Sequence, residues 1–299
     1  MLVGVSTRKY GRSLEPVAPE LGAHGTSKSS VSRRFVEKTR VQVEAWMKRR
    51  LEGLHLRVLM IDGIHVDDHV MLVAIGIDGD GAKHVLGLHE GATENATATK
   101  SLLADLRERG LDTQRSMLVV IDGSKALRAA VRDVFGSRAL VQRCQVQKRR
   151  NVVDHLPEAE AASAGKVMRQ AYRCRDAKQA KKLLEGLARQ LQSRHPSAAS
   201  SLREGLDETL TVKAMGLPEA LERTLSTTNP IENLMGSIRA LTRRVRRWRG
   251  GEMIERWVAV ALQEASKRFH RVRGSAGMKK LAEVLDRGAL SLVKEREAA

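Results

Sequence analysis

The sequence predicts an α/β protein, with a mixed β-sheet core, an all-helical insertion and helical segments at both ends. Three observations predict it. Over residues 55 to 155, short Val/Ile/Leu-rich runs separated by Gly/Asp turns give way to alternating helical and strand patterns. Residues 156 to 225 lose strand character and become rich in Ala, Leu, Gln and charge. Two of the apolar runs end in Asp-Gly, at Asp62 and Asp122.

Residues 1 to 25 carry Pro16, Pro19 and several glycines without periodicity, and read as loosely ordered or partly helical. From Thr26 a Ser/Thr-rich stretch offers N-caps for a helix with Val31, Phe35, Val43, Trp46 and Met47 on one face through Leu51. Its other face is basic and includes Arg33 and Arg34. Within a basic N-terminal segment, 1 to 54, two readings of this helix stay open. It is the recognition helix of a helix-turn-helix, or a solvated helix joining the core.

Val58 to Asp62, Val70 to Ile77 and His84 to Leu88 read as an antiparallel meander. His65 and His69, flanking Asp67 and Asp68, read as its polar hairpin, because a turn does not align two imidazoles on a metal as one helix face does. A helix over Asn95 to Arg109 puts Leu102, Leu103 and Leu106 on one face and stops at Gly110. Met117 to Asp122 is apolar up to its aspartate and therefore a central strand. Lys125 to Phe135 is helical with Leu127, Val131 and Val134 inward, Ala139 to Val141 is a fifth strand, and a basic helix runs from Gln145 to His155. This is the element order of the ribonuclease H-like nuclease fold. Strands one and four are neighbours there, so Asp62 and Asp122 would face each other across one strand spacing of roughly 5 Å.

Leu183, Leu184, Leu187 and Leu191 mark helical spacing within the insertion, 156 to 225. The core then resumes over 226 to 273. Asn229 at the N-cap, Pro230 at N1 and Glu232 at N3 start a helix to about Leu241, and Met253 to Phe269 forms another with Ile254, Trp257, Ala261 and Leu262 inward. Residues 274 to 299 form a C-terminal tail.

The 299 residues carry a formal net charge of +18, which favours a polyanionic partner, most simply nucleic acid, over a ribosomal or membrane-surface role. The charge is uneven: residues 1 to 50 hold 11 Lys or Arg against 4 Glu, 226 to 273 hold 11 against 4, but 51 to 120 hold 6 against 11 acids. A metal-dependent enzyme acting on a polyanion needs both kinds of surface. The candidate DNA contacts are Arg33, Arg34, Lys148, Arg149, Arg150, and the cluster Arg243, Arg244, Arg246, Arg247 and Arg249 around Trp248, suited to bidentate phosphate contact. Cys144 and Cys174 are the only cysteines, so no disulfide framework or paired-cysteine zinc site is expected and a reducing cytoplasm fits. No signal peptide or membrane span is expected. Aromatics at 3% argue against single-strand binding by base stacking.

Asp62 and Asp122 are candidate metal ligands held at strand ends, and Glu232 is a third, although a helix-starting cap explains Glu232 equally well from pattern alone. Such a carboxylate set favours two Mg²⁺ or Mn²⁺ ions and phosphoryl-transfer chemistry. Cys144, at a strand-to-helix junction beside basic residues, is a candidate for ordering the site; a small core residue is its plainer explanation.

Met-Ile-Asp-Gly around Asp62, Gly-Ala-Thr-Glu-Asn-Ala at 91 to 96, Val-Val-Ile-Asp-Gly around Asp122, Gln-Arg-Cys with Lys-Arg-Arg-Asn-Val at 142 to 152, and Ser-Thr-Thr-Asn-Pro-Ile-Glu at 226 to 232 resemble the Mutator-type transposases of bacterial insertion sequences. The resemblance runs from about Gly25 to Arg273. It implies a DDE recombinase with a ribonuclease H-like core, an α-helical insertion before the last acid, and Asp62, Asp122 and Glu232 as its metal-binding catalytic triad. It further implies an oligomer that binds terminal inverted repeats and target DNA as double strands, in a bacterial cytoplasm and at the nucleoid. The protein would cut a strand with water and join the freed 3′-hydroxyl to another phosphodiester.

Two departures accompany the resemblance: Gln147 stands where the family has His three residues after the Cys, and the N-terminus reads as shorter than in many relatives. Gln hydrogen-bonds but carries no proton or charge near neutral pH. The rival readings are an inactive DNA-binding protein, by decay or as a regulator, and a structure-specific nuclease on the same fold.

Overall fold

A computed structural model describes residues 27–91, 95–243, 245 and 247–297. The expectation for residues 1 to 25, part of the 91 to 96 motif, and Arg244 and Arg246 lie outside the described residues. The elements in order are α1 (Lys28–Lys48), β1 (Leu56–Val66), β2 (His69–Asp78), β3 (Lys83–Glu90), α2 (Ala96–Glu108), β4 (Met117–Ile121), α3 (Lys125–Phe135), β5 (Ala139–Arg143) and α4 (Gln145–Val153). There follow α5 (Glu158–Arg173), α6 (Ala177–Leu191), α7 (Pro196–Arg203), α8 (Thr211–Ala214), α9 (Glu219–Leu225), α10 (Asn229–Thr242), α11 (Gly251–Ser266) and α12 (Met278–Glu297).

The five strands form one mixed sheet in the order β3-β2-β1-β4-β5. β1, β2 and β3 are antiparallel neighbours, while β4 and β5 run parallel to β1. Strand residues alternate between the two faces, as the period of two demands. Val58, Met60, Leu118 and Val120 pack with helices α8 to α12, whereas Leu59, Ile61, Val119 and Ile121 pack with α2 and α3. β1 does not end at Asp62: Asp62 pairs with Val73 and Gly63 with Leu72, and pairing continues to Val66 opposite His69. The reversal comes at Asp67, whose φ of 54° is the only left-handed value among described non-glycine residues. His65 and His69 sit at the two strand ends flanking this turn, as a polar hairpin requires.

α1 docks on α11, with Phe35 and Trp257 ring centroids 5.1 Å apart and the Gln42 amide donating to Gln263 at 2.7 Å. Residues Ala164 to Leu210 build a separate apolar cluster with Val152 of α4. From Val212 onward the chain packs again on the sheet, so α8 and α9 belong to the sheet-side core. The expected C-terminal tail begins as part of that core. Met278, Leu281 and Leu285 of α12 are buried there, and Arg57 of β1 binds both oxygens of Asp286 at 2.6 and 3.1 Å.

Candidate active site

Two carboxylates meet at the C-terminal end of β4. The parallel register pairs Val58 with Leu118, Leu59 with Val119 and Met60 with Val120. Carried two residues further, it sets Asp62 beside Asp122. Strand alternation points both side chains to the face occupied by Met60 and Val120, where α10 packs. Asp62 Oδ1 accepts from the Gly63 amide at 2.8 Å, and Asp122 Oδ1 accepts from the Ser124 amide at 2.8 Å. Gly123, with φ of 118°, lets the chain leave the sheet after Asp122, and Ser124 then caps α3 by accepting from the Leu127 amide.

Glu232 lies in the first turn of α10. The helix starts one residue earlier than the sequence suggests: Thr228 is the N-cap, Asn229 is N1 and Pro230 is N2, which puts Glu232 at N4. Its carboxylate therefore does not fold back as a capping-box acid. It accepts instead from the Thr228 hydroxyl at 2.7 Å. The Thr228 hydroxyl and amide also face Cys144 Sγ at 3.3 and 3.5 Å. Cys144 is fully buried, its amide donates to Ile121 O at 2.8 Å, and its sulfur accepts from the Gln147 amide at 3.4 Å as the N-cap of α4. The Gln145 amide reaches Ser226 O at 3.0 Å. One junction thus ties the end of β4, the start of α4 and the start of α10 together. The Gln147 side chain turns along its helix to Asn151 Oδ1 at 3.2 Å.

The electrostatics couple these acids. Burial, helped by the neighbouring Asp122 and Glu232 charges and opposed by the Gly63 amide and the Arg239 charge, raises the Asp62 carboxyl from 3.8 to about 6. Asp62 therefore sits in a field that a cation relieves. An oxygen-only donor set of this kind fits a hard divalent ion. Among the described residues no three such ligand side chains form a closed metal cage. Glu232 is engaged with Thr228, and both aspartates are engaged with backbone amides.

Residues 1–272 match the family model described as transposase, Mutator family. The chain belongs to the Mutator family of transposases. It is 32% identical over 251 residues to the transposase for insertion sequence element ISRM5 of Rhizobium meliloti (strain 1021), covering 81% of this chain and 60% of that protein. It is 27% identical over 248 residues to the IS6120 transposase of Mycolicibacterium smegmatis, covering 81% of this chain and 74% of that one. It is 28% identical over 246 residues to the IS256 transposase of transposon Tn4001 from Staphylococcus aureus, covering 79% and 60%. The chain thus spans about 60% of the length of several of the curated relatives it matches.

In this transposase-family chain the expected basic contacts separate into surface and interior groups. Arg33 and Arg34 of α1, Arg150 of α4, and Arg243, Arg247 and Arg249 are exposed, Arg149 is half-buried, and Trp248 packs partly against the core. Lys148 is not a surface cation. It is 4% exposed, its ammonium donates to Ser201 O and Glu204 O at 2.7 Å each, and burial pulls it down to about 8.

Three further residues bear on the site. Arg239 shares a face of α10 with Glu232, seven residues on, a spacing that was legible in the sequence. Thr228 was legible only inside the Ser-Thr-Thr-Asn-Pro motif. Arg143, 4% exposed, donates to Gly123 O at 3.2 Å and to Glu208 at 2.6 Å, tying the Asp122 turn to the helical insertion. Its acidic partners, Glu204 and Glu208, lie more than sixty residues downstream, beyond any local signal.

Proposed function

We propose that this chain carries the catalytic core of a DDE transposase, cutting DNA at insertion-sequence terminal inverted repeats and joining the freed 3′ end to target DNA. The observation that carries this reading is the coupling of Asp62 with Asp122 and Glu232, three acids from separate stretches of a strongly basic chain. The strand order and the parallel β1-β4 pairing support a ribonuclease H-like core. Asp62, Asp122 and Glu232 would hold the divalent ions, two Mg²⁺ or Mn²⁺. Such ions, when bound, activate the attacking oxygen and neutralise charge gathering on the phosphate.

The chain's own residues do the positioning. Gly63 and Ser124 amides fix the two aspartates, and Thr228, seated on Cys144, fixes Glu232. Arg239 offsets the acids' repulsion, which keeps the centre anionic without an ion. Exposed arginines at Arg33, Arg34, Arg150, Arg243, Arg247 and Arg249 supply phosphate contacts. The protein acts as a homo-oligomer on double-stranded DNA in the bacterial cytoplasm, at the nucleoid. No described helix is long and apolar enough to cross a membrane.

Incubating the protein and Mg²⁺ with labelled element ends tests this. Nicking and strand joining abolished by Asp122→Asn is the expected result. Binding without nicking in either Mg²⁺ or Mn²⁺ overturns it in favour of an inactive binder, and preferential cutting of four-way junctions overturns it in favour of a resolving nuclease.

A further inference from the structure

The far side of α10 carries a groove that the reaction centre leaves unused. With 3.6 residues per turn, Glu232 and Arg239 share one face, while Pro230, Asn233, Ser237 and Leu241 lie roughly opposite. These four line one cavity of about 320 Å³, and Pro230 and Asn233 also line a wider one of about 560 Å³. Lys83 borders both, so the two form one trough running past the start of α10.

The trough is cationic, and all of its cations except Arg223 are free of ion pairs among the described residues. Arg268 borders its narrow part, and Arg223, Arg271 and Arg273 border its wide part. Arg223 is paired with Glu219, and the nearby Glu264 is taken by Lys267 at 2.7 Å. Lys83, Arg268, Arg271 and Arg273 make no ion pair among the described residues. Lys83 instead lies over the Phe269 ring at 4.8 Å, which holds its charge at the trough wall.

The arginine-bearing segment is rigidly mounted. The Val272 amide donates to Gly81 O at 2.8 Å, and Arg273 O accepts from the Thr224 hydroxyl at 2.9 Å. Gly274, at φ 84°, lies so close to the Leu221 backbone that a Cβ there would collide with the Leu221 nitrogen. Val272 is therefore buried, while Arg271 and Arg273 stand exposed on either side of it. Exposed Asn229 and Asn233 add neutral donors along the same wall.

We propose that this trough binds the phosphate backbone of a second DNA segment, one helix width from the segment held at Asp62, Asp122 and Glu232. The inference rests on the transposase reading in taking DNA as the polyanion. Spaced, unpaired arginines with amide donors suit sequence-independent backbone contact, which fixes position without reading bases.

Anisotropy titrations of a random-sequence duplex, run at several salt concentrations, test it. Arg271→Ala combined with Arg273→Ala should weaken binding and make the plot of log affinity against log salt shallower by about 1.8, the loss of two phosphate contacts. Asn233→Asp, an exposed position that adds an anion to the trough, should weaken binding as well. The comparison is Arg243→Ala with Arg247→Ala, on the separate basic cluster. If that pair weakens binding while both trough variants match wild type in affinity and slope, the trough inference is overturned and the DNA reading stands. If wild-type protein fails to bind duplex even at low salt, both fall.

Discussion

Replacing Asp62 by Asn removes a carboxylate whose charge the fold tolerates poorly, and stability measures the size of that intolerance. The Asp62 carboxyl rises from 3.8 to about 6 in the folded protein, chiefly by burial and then through Asp122 and Glu232. A native value above the unfolded one means that the folded state holds a proton the unfolded chain has released. Stability therefore falls as pH rises from about 4 through about 6, and stays low above that. A shift of about two units at about 1.4 kcal/mol each gives a cost of about 3 kcal/mol once Asp62 is ionised. Asn keeps an oxygen for the Gly63 amide and carries no charge. In chelator, urea denaturation should find Asp62→Asn more stable than wild type by about 2 to 3 kcal/mol at pH 7.5 and equal to it near pH 4. Mg²⁺ should stabilise wild type at pH 7.5 and the variant much less. Parallel pH–stability curves for the two proteins, or an equal gain from Mg²⁺, would refute the reasoning.

Thr228→Val removes the hydroxyl that holds Glu232; activity should fall about 10- to 100-fold, as for other residues that orient metal ligands, with Thr228→Ser restoring most of it. Equal loss in both variants would point to packing alone. Arg143→Met leaves half-buried Glu208 with Arg128 as its ion-pair partner and frees the Gly123 carbonyl, so urea denaturation should show a loss of about 1.5 to 3 kcal/mol. A change under about 1 kcal/mol would sink the proposed tie between insertion and Asp122 turn. Lys148 lies below its unfolded value of 10.5, at about 8, so wild-type stability should rise with pH between them, a dependence that Lys148→Met abolishes. The salt dependence of DNA binding should stay unchanged in that variant; a slope shallower by about 0.9 would mean that Lys148 reaches a phosphate.

Local pattern reveals the elements but not their long-range partners. The bounds of α3 follow from Ser124, Leu127, Val131 and Gly136, all within one local stretch. Asp62-Gly63 reads as a turn, yet pairing of β1 with β2 as far as Val66 and His69 overrides that signal and moves the reversal to Asp67. The Asn-Pro start of α10 is displaced by one residue because Thr228, not Asn229, precedes the first helical turn. Lys148 sits in a run of basic residues and looks solvated. It is buried because Ser201 and Glu204 of the helical insertion supply carbonyls to it, and no local periodicity records that. For α12 the signal was present, since Met278, Leu281 and Leu285 recur at helical spacing, but a charged surrounding sequence hid it.

The most direct test of three acids acting as one centre is to assay cleavage of labelled element ends by Asp62→Asn, Asp122→Asn, Glu232→Gln and the triple variant. Duplex binding is measured alongside. Residues that act as a unit lose activity together, so each single variant should fall to the level of the triple variant while still binding duplex. Wild-type cleavage by any one of the three would contradict the account.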